Sequence, residues 1–161
     1  GFHFTKDLIK KLKKQGIQFE YTTLQVGYGT FQPIKTEKVE DHQMHPEYVS
    51  INKETARRIN QAKKENRRII AVGTTTARAL ESLADQKGRL KAGNRYINIF
   101  IYPGYKFKII DALITNFHLP QSTLLMLISA LAGRKLILKA YQTAVRKKYR
   151  FYSFGDAMLI E

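Results

Sequence analysis

Apolar and polar positions along the chain change period several times, and each change predicts an element. Thr5 caps a helix whose first turn carries Asp7, whose apolar positions are Leu8, Ile9 and Leu12, and whose stop is Gly16. Ile17, Phe19, Tyr21 and Thr23 then alternate with polar residues, which predicts a half-buried strand. No period is sustained over residues 27–50, and VGYGTFQP (Val26 to Pro33) is rich in turn formers and aromatics, so this stretch reads as a long loop excursion.

Asn52 caps a second helix reaching about Asn66, with Ala56, Ile59 and Ala62 or Lys63 on a narrow apolar side. Arg57, Gln61, Lys64 and Arg68 share its opposite, cationic face. Arg68 to Gly73 is a short apolar run ending in glycine, the pattern of a parallel strand buried on both sides, and Thr74-Thr-Thr-Ala-Arg-Ala-Leu opens the next helix. After a polar connection from Asp85 to Arg95, strands are predicted over Ile97 to Tyr102 and over Lys108 to Ile114, separated by the Pro103-Gly104 turn. Ser122 caps an apolar helix ended by Gly133. Lys135 to Lys148 forms an amphipathic helix with Leu136, Ala140, Tyr141 and Ala144 inward, and Ala157 to Ile160 closes the chain as a strand. This alternation predicts an α/β fold: a largely parallel or mixed sheet flanked by helices, partly barrel-like, in a single domain over 1–161.

The 161 residues suffice for one core, and 43% apolar against 25% charged residues is the balance of a folding chain. Twenty-eight Lys and Arg against 13 acids leave a net charge of +15, a strong attraction for polyanions, with nucleic acid first among them. No apolar run approaches the roughly 20 residues of a membrane-spanning helix. The absence of Cys removes thiol chemistry and Cys-based metal sites, and fits a reducing, cytoplasmic setting.

Gly73-Thr-Thr-Thr76 follows a predicted strand and opens a helix, so its N–H groups and hydroxyls suit a phosphate or carboxylate; alternatively Thr75 or Thr76 is simply the cap. His118 stands between a strand and the helix capped by Ser122, at the strand's carboxyl end, where open α/β sheets hold ligands. It is a candidate acid or base, or else a structural histidine. Asn116 can orient the ring or meet a substrate edge, and Ser122 can cap or contact ligand. His42, His45 and Glu47 lie in a loop without the helical spacing of a metalloprotease site, and no metal is expected. The segments around Tyr102 and Tyr105 and from Tyr149 to Phe154 mix aromatics with cations, as base-stacking platforms or as core packing. Arg57, Lys64, Arg67, Arg68, Arg146, Lys147 and Lys148 are the candidate RNA-phosphate contacts; they can equally be solvated faces.

GFHFT, VGYGTFQP, EDHQMHPE, IIAVGTTTARALES, FIYPGYKFKIIDALITNFHLPQSTLLMLISALAG and YRFYSFGDAMLIE together closely resemble the S-adenosylmethionine:tRNA ribosyltransferase-isomerase (QueA) family of queuosine biosynthesis, in order and over nearly the whole chain. The resemblance implies transfer and isomerisation of the ribosyl group of S-adenosylmethionine onto the 7-aminomethyl-7-deazaguanine wobble base of tRNA, giving epoxyqueuosine with release of adenine and methionine. S-adenosylmethionine is then a consumed co-substrate, with no bound cofactor, and a soluble monomer is expected. The implied roles are proton transfer by His118, ligand orientation by Asn116, and anion binding by Thr74, Thr75 and Thr76 with Arg78. Tyr102 and Tyr105 would stack on a base, and Asp156 would accept a ribose or amine hydrogen bond. Two departures stand out: the family carries an N-terminal portion with a β-barrel-like domain ahead of GFHFT, so a C-terminal portion is expected here, and AGNRYIN replaces a Gly-aromatic-Thr-Asp pattern. A non-catalytic tRNA-binding fragment is the alternative; a nucleotide enzyme unrelated to RNA would leave the charge unexplained.

Overall fold

The computed structural model describes residues 3–27, 36 and 38–161. Gly1 and Phe2 of GFHFT, and Tyr28 to Pro33 of VGYGTFQP, lie outside them. In chain order the elements are α1 (Lys6–Lys14), β1 (Thr23–Gln25), a 3-10 turn (Val39–Asp41), β2 (Glu47–Ile51), α2 (Lys53–Lys64), β3 (Ile70–Val72), α3 (Thr74–Leu83), β4 (Gly93–Ile97), β5 (Ala112–Asn116), α4 (Thr123–Ala132), α5 (Arg134–Arg146) and β6 (Ala157–Ile160).

Helix ends follow local chemistry. Thr5, Asn52 and Ser122 each accept a backbone N–H of the helix they open, at 3.2, 2.8 and 3.2 Å. Gly16 takes φ 86° after α1, and the Ile17 N–H turns back onto Leu12 O at 3.1 Å, the bond that closes a helix whose last carbonyls have run out of partners.

The strands form two three-stranded sheets, ordered β1-β2-β4 and β3-β5-β6. The first is antiparallel throughout; in the second β3 and β5 run parallel and β6 antiparallel. Strand pairing is therefore mixed rather than largely parallel. One contiguous core joins both sheets through Val49, Ile51, Ala77, Leu80, Leu113, Leu127 and Ile128.

Several strand boundaries move, and hydrogen-bond partners explain each move. The excursion contains a strand, because β2 at 47–51 lies between β1 and β4. The strand expected over Ile17 to Thr23 forms only at Thr23–Gln25, where β2 offers a ladder; Ile17 and Tyr21 are exposed. Likewise the strand expected over Ile97 to Tyr102 is instead Gly93–Ile97, since Ile97 meets Glu47, the first residue of β2. The alternation beyond it reflects burial of Ile101 without a ladder. β3 is an edge strand with Ile70 exposed, not a strand buried on both sides. In α5 the inward positions are Ile137, Tyr141 and Ala144, spaced four and three residues apart, which leaves Leu136 exposed and Ala140 on the flank.

α3 is buried on nearly every side and carries two charges inward. Arg78 Nη1 lies 2.5 Å from Glu47 Oε2 on β2, as an ion pair rather than an aligned hydrogen bond. Glu81 Oε1 accepts the N–H groups of Ile109 (2.9 Å) and Ile110 (3.0 Å), and Oε2 accepts the Lys108 N–H (2.8 Å) and the Tyr105 hydroxyl (3.1 Å). Those N–H groups lie in the segment expected to begin a strand at Lys108; because the carboxylate takes them, β5 starts only at Ala112. Glu81→Ala strands three backbone donors and a hydroxyl away from water, so it should lower unfolding free energy by about 3–5 kcal/mol. Urea unfolding of the two proteins measures this, and a loss below about 1 kcal/mol would mean that water replaces the carboxylate.

Candidate functional site

The carboxyl ends of the parallel strands β3 and β5 open onto a cleft of two adjoining lobes, about 350 and 450 Å³. This is the edge at which ligands lie in open α/β sheets. His3, Gly73, Thr75, Asn116 and Ser153 line both lobes. The smaller lobe adds Thr74, Thr115, Phe117, His118, Leu119, Ser122, Leu124 and Tyr152.

Gly73 leaves β3 and starts α3 at φ 90°, where a side chain would be strained, and its N–H donates to Ile114 O at 2.8 Å. As N-cap it supplies no side-chain acceptor. Neither Thr75 nor Thr76 is the cap; Thr76 Oγ1 donates to Val72 O at 2.8 Å. No described side chain caps the first N–H groups of α3, which open toward the cleft with the positive end of the helix dipole behind them.

His118 lies just past β5. Its Nε2 is 2.9 Å from Thr115 Oγ1, and its backbone N–H donates to the Tyr141 hydroxyl at 2.7 Å. Burial first, and then the nearby imidazole of His3, lower its pKa from 6.5 to about 4, so the ring is neutral at physiological pH. Burial raises the Tyr141 hydroxyl to about 12 against the opposing hydrogen bond from His118, so it accepts that bond as a neutral phenol. Asn116 Nδ2 donates to Gly155 O and Asp156 O at 3.2 and 3.4 Å, tying the loop that carries Tyr152 and Ser153 to the end of β5. Gly155 is required there by close approach: a Cβ would collide with the carbonyl oxygens of Arg150 and Phe151.

Of the sequence-derived candidates, Thr74, Thr75, Thr76, Asn116, His118 and Ser122 come together around the cleft. Ser122 serves the cap as well, donating to Leu119 O at 2.7 Å. Four others line neither lobe. Arg78 pairs with Glu47, Tyr105 donates to Glu81, Tyr102 packs on Phe100 at 5.2 Å, and Asp156 accepts from the Arg150 N–H and guanidinium at 2.7 and 2.8 Å. Glu47 points inward to Arg78 while His42 packs edge-on against Phe100, so these two members of the histidine-carboxylate run serve separate contacts. His3 stands out in the sequence only as part of GFHFT; its place in the cleft depends on chain packing that no local period reveals.

Around α2 the cations are partly neutralised: Arg57 pairs with Glu54, Arg67 with Glu65 and Arg68 with Glu161. Lys64 is exposed on the same side. Arg146, Lys147 and Lys148 are exposed without an acidic partner among the described residues, and they lead directly into exposed Tyr149 and Tyr152. No described helix is long and apolar enough to cross a membrane.

A family model described as queuosine biosynthesis protein matches residues 1–160. The chain is 59% identical over 160 residues to the S-adenosylmethionine:tRNA ribosyltransferase-isomerase of Carboxydothermus hydrogenoformans and 58% identical to that of Halothermothrix orenii, covering 99% of this chain and 47% of each relative. The crystal structure of a Thermotoga maritima S-adenosylmethionine tRNA ribosyltransferase superposes with a TM-score of 0.81 at 44% identity, over 100% of this chain and 51% of that one. The chain thus spans about half the length of the relatives it matches.

The neutral state of His118 has a consequence for stability. Unfolded, the ring binds a proton below about pH 6.5; folded, only below about pH 4. Its contribution to stability is therefore complete above that window and declines as pH falls through it, by up to about 3 kcal/mol. Unfolding free energies at pH 7.5 and pH 4.5 should show a larger acid loss in the native protein than in His118→Gln. Equal losses would show that His118 titrates normally.

Proposed function

Because the chain belongs to the queuosine biosynthesis protein family, we propose that it forms the catalytic cleft of an S-adenosylmethionine:tRNA ribosyltransferase-isomerase, which moves and isomerises the ribosyl group onto the 7-aminomethyl-7-deazaguanine base of tRNA. The observation that carries this reading is the delivery of His118 and Asn116, at the end of β5, into a cleft beside the open N-terminus of α3. The reaction consumes S-adenosylmethionine, and adenine and methionine leave.

The ribose carbon next to the sulfonium loses its proton to His118, whose neutral ring has the lone pair this requires. The resulting imidazolium is a strong acid in so dry a site and passes the proton to the departing adenine. The amine of the tRNA base then forms a carbon–nitrogen bond to the ribosyl skeleton and gives up a proton to solvent, while the ribosyl carbon–sulfur bond breaks and its electron pair leaves on the sulfur of methionine. Phe117 and Leu124 limit water at these steps. Asn116 holds the Tyr152–Asp156 loop against the strand end, and the N–H groups of Thr74 and Thr75 stabilise negative charge that develops nearby. Arg146, Lys147 and Lys148 attract tRNA phosphates, with exposed aromatics adjoining. Arg78, Tyr102, Tyr105 and Asp156 take structural roles in this reading.

The protein, alone and joined to the N-terminal half of the Halothermothrix orenii relative, should transfer label from ribose-labelled S-adenosylmethionine to tRNA bearing the aminomethyl-deazaguanine, with free adenine formed in equal amount. His118→Gln should lower turnover about 100-fold or more with the fold retained. Absence of transfer in both forms would overturn the reading, and tRNA binding without adenine release would identify a non-catalytic tRNA-binding module. In tRNA titrations against salt, replacing Arg146, Lys147 and Lys148 by Gln should flatten the slope by about one unit for each phosphate these cations neutralise. Arg57→Gln should change it less, because Glu54 already neutralises that guanidinium; equal effects would place the RNA on α2 as well.

A further inference from the structure

His3 precedes α1 and lines both lobes of the cleft. Its Nδ1 and Nε2 are both shut off from solvent, and neither has a hydrogen-bond partner among the described residues. A neutral imidazole carries one donor and one acceptor, and a buried polar atom without a partner destabilises a fold more than an apolar atom in its place. His118 differs, because its Nε2 already meets Thr115. His3 therefore holds, in the wall of the cleft, ring nitrogens that no described residue uses.

The lining indicates what such a pair would meet. In a chain of net charge +15, no Lys, Arg, Asp or Glu among the described residues lines either lobe; the titratable groups among them facing His3 there are His118 and Tyr152. A phosphate or carboxylate site would be expected to use one of the abundant cations. Here apolar walls from Phe117 and Leu124 accompany hydroxyls and an amide, which suits a flat, uncharged ligand with hydrogen-bonding edges.

We propose that His3 is a ligand-contacting residue whose two ring nitrogens, one donating and one accepting, hold a neutral nucleoside in this cleft. The inference rests on the cleft being the substrate site, and it adds a recognition residue to that site. A neutral nucleoside can come from the adenosyl part of S-adenosylmethionine or from a purine nucleoside of the RNA, and the probes separate these sources.

The protein is titrated with adenosine and with guanosine at high salt, following His3 ring resonances and calorimetric Kd. One of the two should shift the His3 signals. His3→Phe and His3→Ala should weaken binding about tenfold or more while Tm stays equal or rises, since no hydrogen bond within the protein is removed. His3→Gln, which keeps a donor and an acceptor, should recover part of the affinity. Adenosine binding assigns the contact to the sulfonium substrate, and guanosine binding to the RNA. Failure of both nucleosides to bind, unchanged Kd in the variants, a lowered Tm with unchanged Kd, or displacement by inorganic phosphate would each overturn the proposal. His3-dependent nucleoside binding in a protein that transfers no ribosyl group would leave it standing and remove the enzymatic reading instead.

Discussion

The carboxylate of Glu81, fully buried and accepting four hydrogen bonds, is the constraint on which the rest of the structure depends. A buried charge is tolerable only when its lone pairs are met, so the segment from Tyr105 to Ile110 must wrap this one point on α3. Three residues earlier, Arg78 imposes a similar demand on the opposite sheet through Glu47. A helix whose one face is tied by two buried charges to two different segments has little freedom to slide or rotate. Its first turn therefore stands at a defined height beside the ends of β3 and β5, and this fixes the geometry of the cleft.

That arrangement separates two kinds of electrostatics. The cations are spread over the surface, partly paired along α2 and without acidic partners among the described residues at the end of α5, and they create a long-range field for a polyanion. Among the described residues no Lys, Arg, Asp or Glu lines the cleft, and His118 is kept neutral there mainly by burial. The long-range field and the cleft are thus supplied by different atoms. The loop from Arg150 to Asp156 connects them: its base is clamped by the Arg150–Asp156 pair and the close approach at Gly155, while Tyr152 and Ser153 reach the cleft.

Features governed by neighbours in sequence are legible without the structure. The caps at Thr5, Asn52 and Ser122, the glycine stops at Gly16 and Gly133, and the strand-glycine-helix unit through Gly73 each rest on a few adjacent residues. The strand boundaries are not, because Ile17 and Ile99 occupy alternating patterns yet find no ladder partner. For the site, Thr74 to Thr76, Asn116, His118 and Ser122 are recoverable since a strand's carboxyl end predicts where a ligand lies. Arg78, Tyr105 and Asp156 carry the same functional groups as binding residues, but tertiary partners occupy those groups, and no single-sequence pattern distinguishes the two cases. His3 escapes notice for the complementary reason: what sets it apart is that no described residue is its hydrogen-bond partner.

The aromatic segment from Tyr149 to Phe154 illustrates how one stretch serves both packing and recognition. Phe117, adjacent to His118, packs against Tyr141, Tyr149 and Phe151 with ring centroids 5.4, 5.6 and 5.3 Å away, and Tyr141 meets Phe151 at 5.8 Å. The Tyr141 hydroxyl at the edge of this cluster accepts the His118 N–H. The peptide bearing the candidate acid-base residue is therefore fixed by an aromatic core and a hydrogen bond, and the ring alone extends into the cleft. Tyr152 can leave the cluster because it adopts φ 72° and donates its N–H to Phe117 O at 3.0 Å, which turns its side chain toward the cleft. Residues that look like a continuous stacking platform in the sequence are thus divided by backbone geometry: Tyr149 and Phe151 pack on Phe117, next to His118, and Tyr152 lines the cleft.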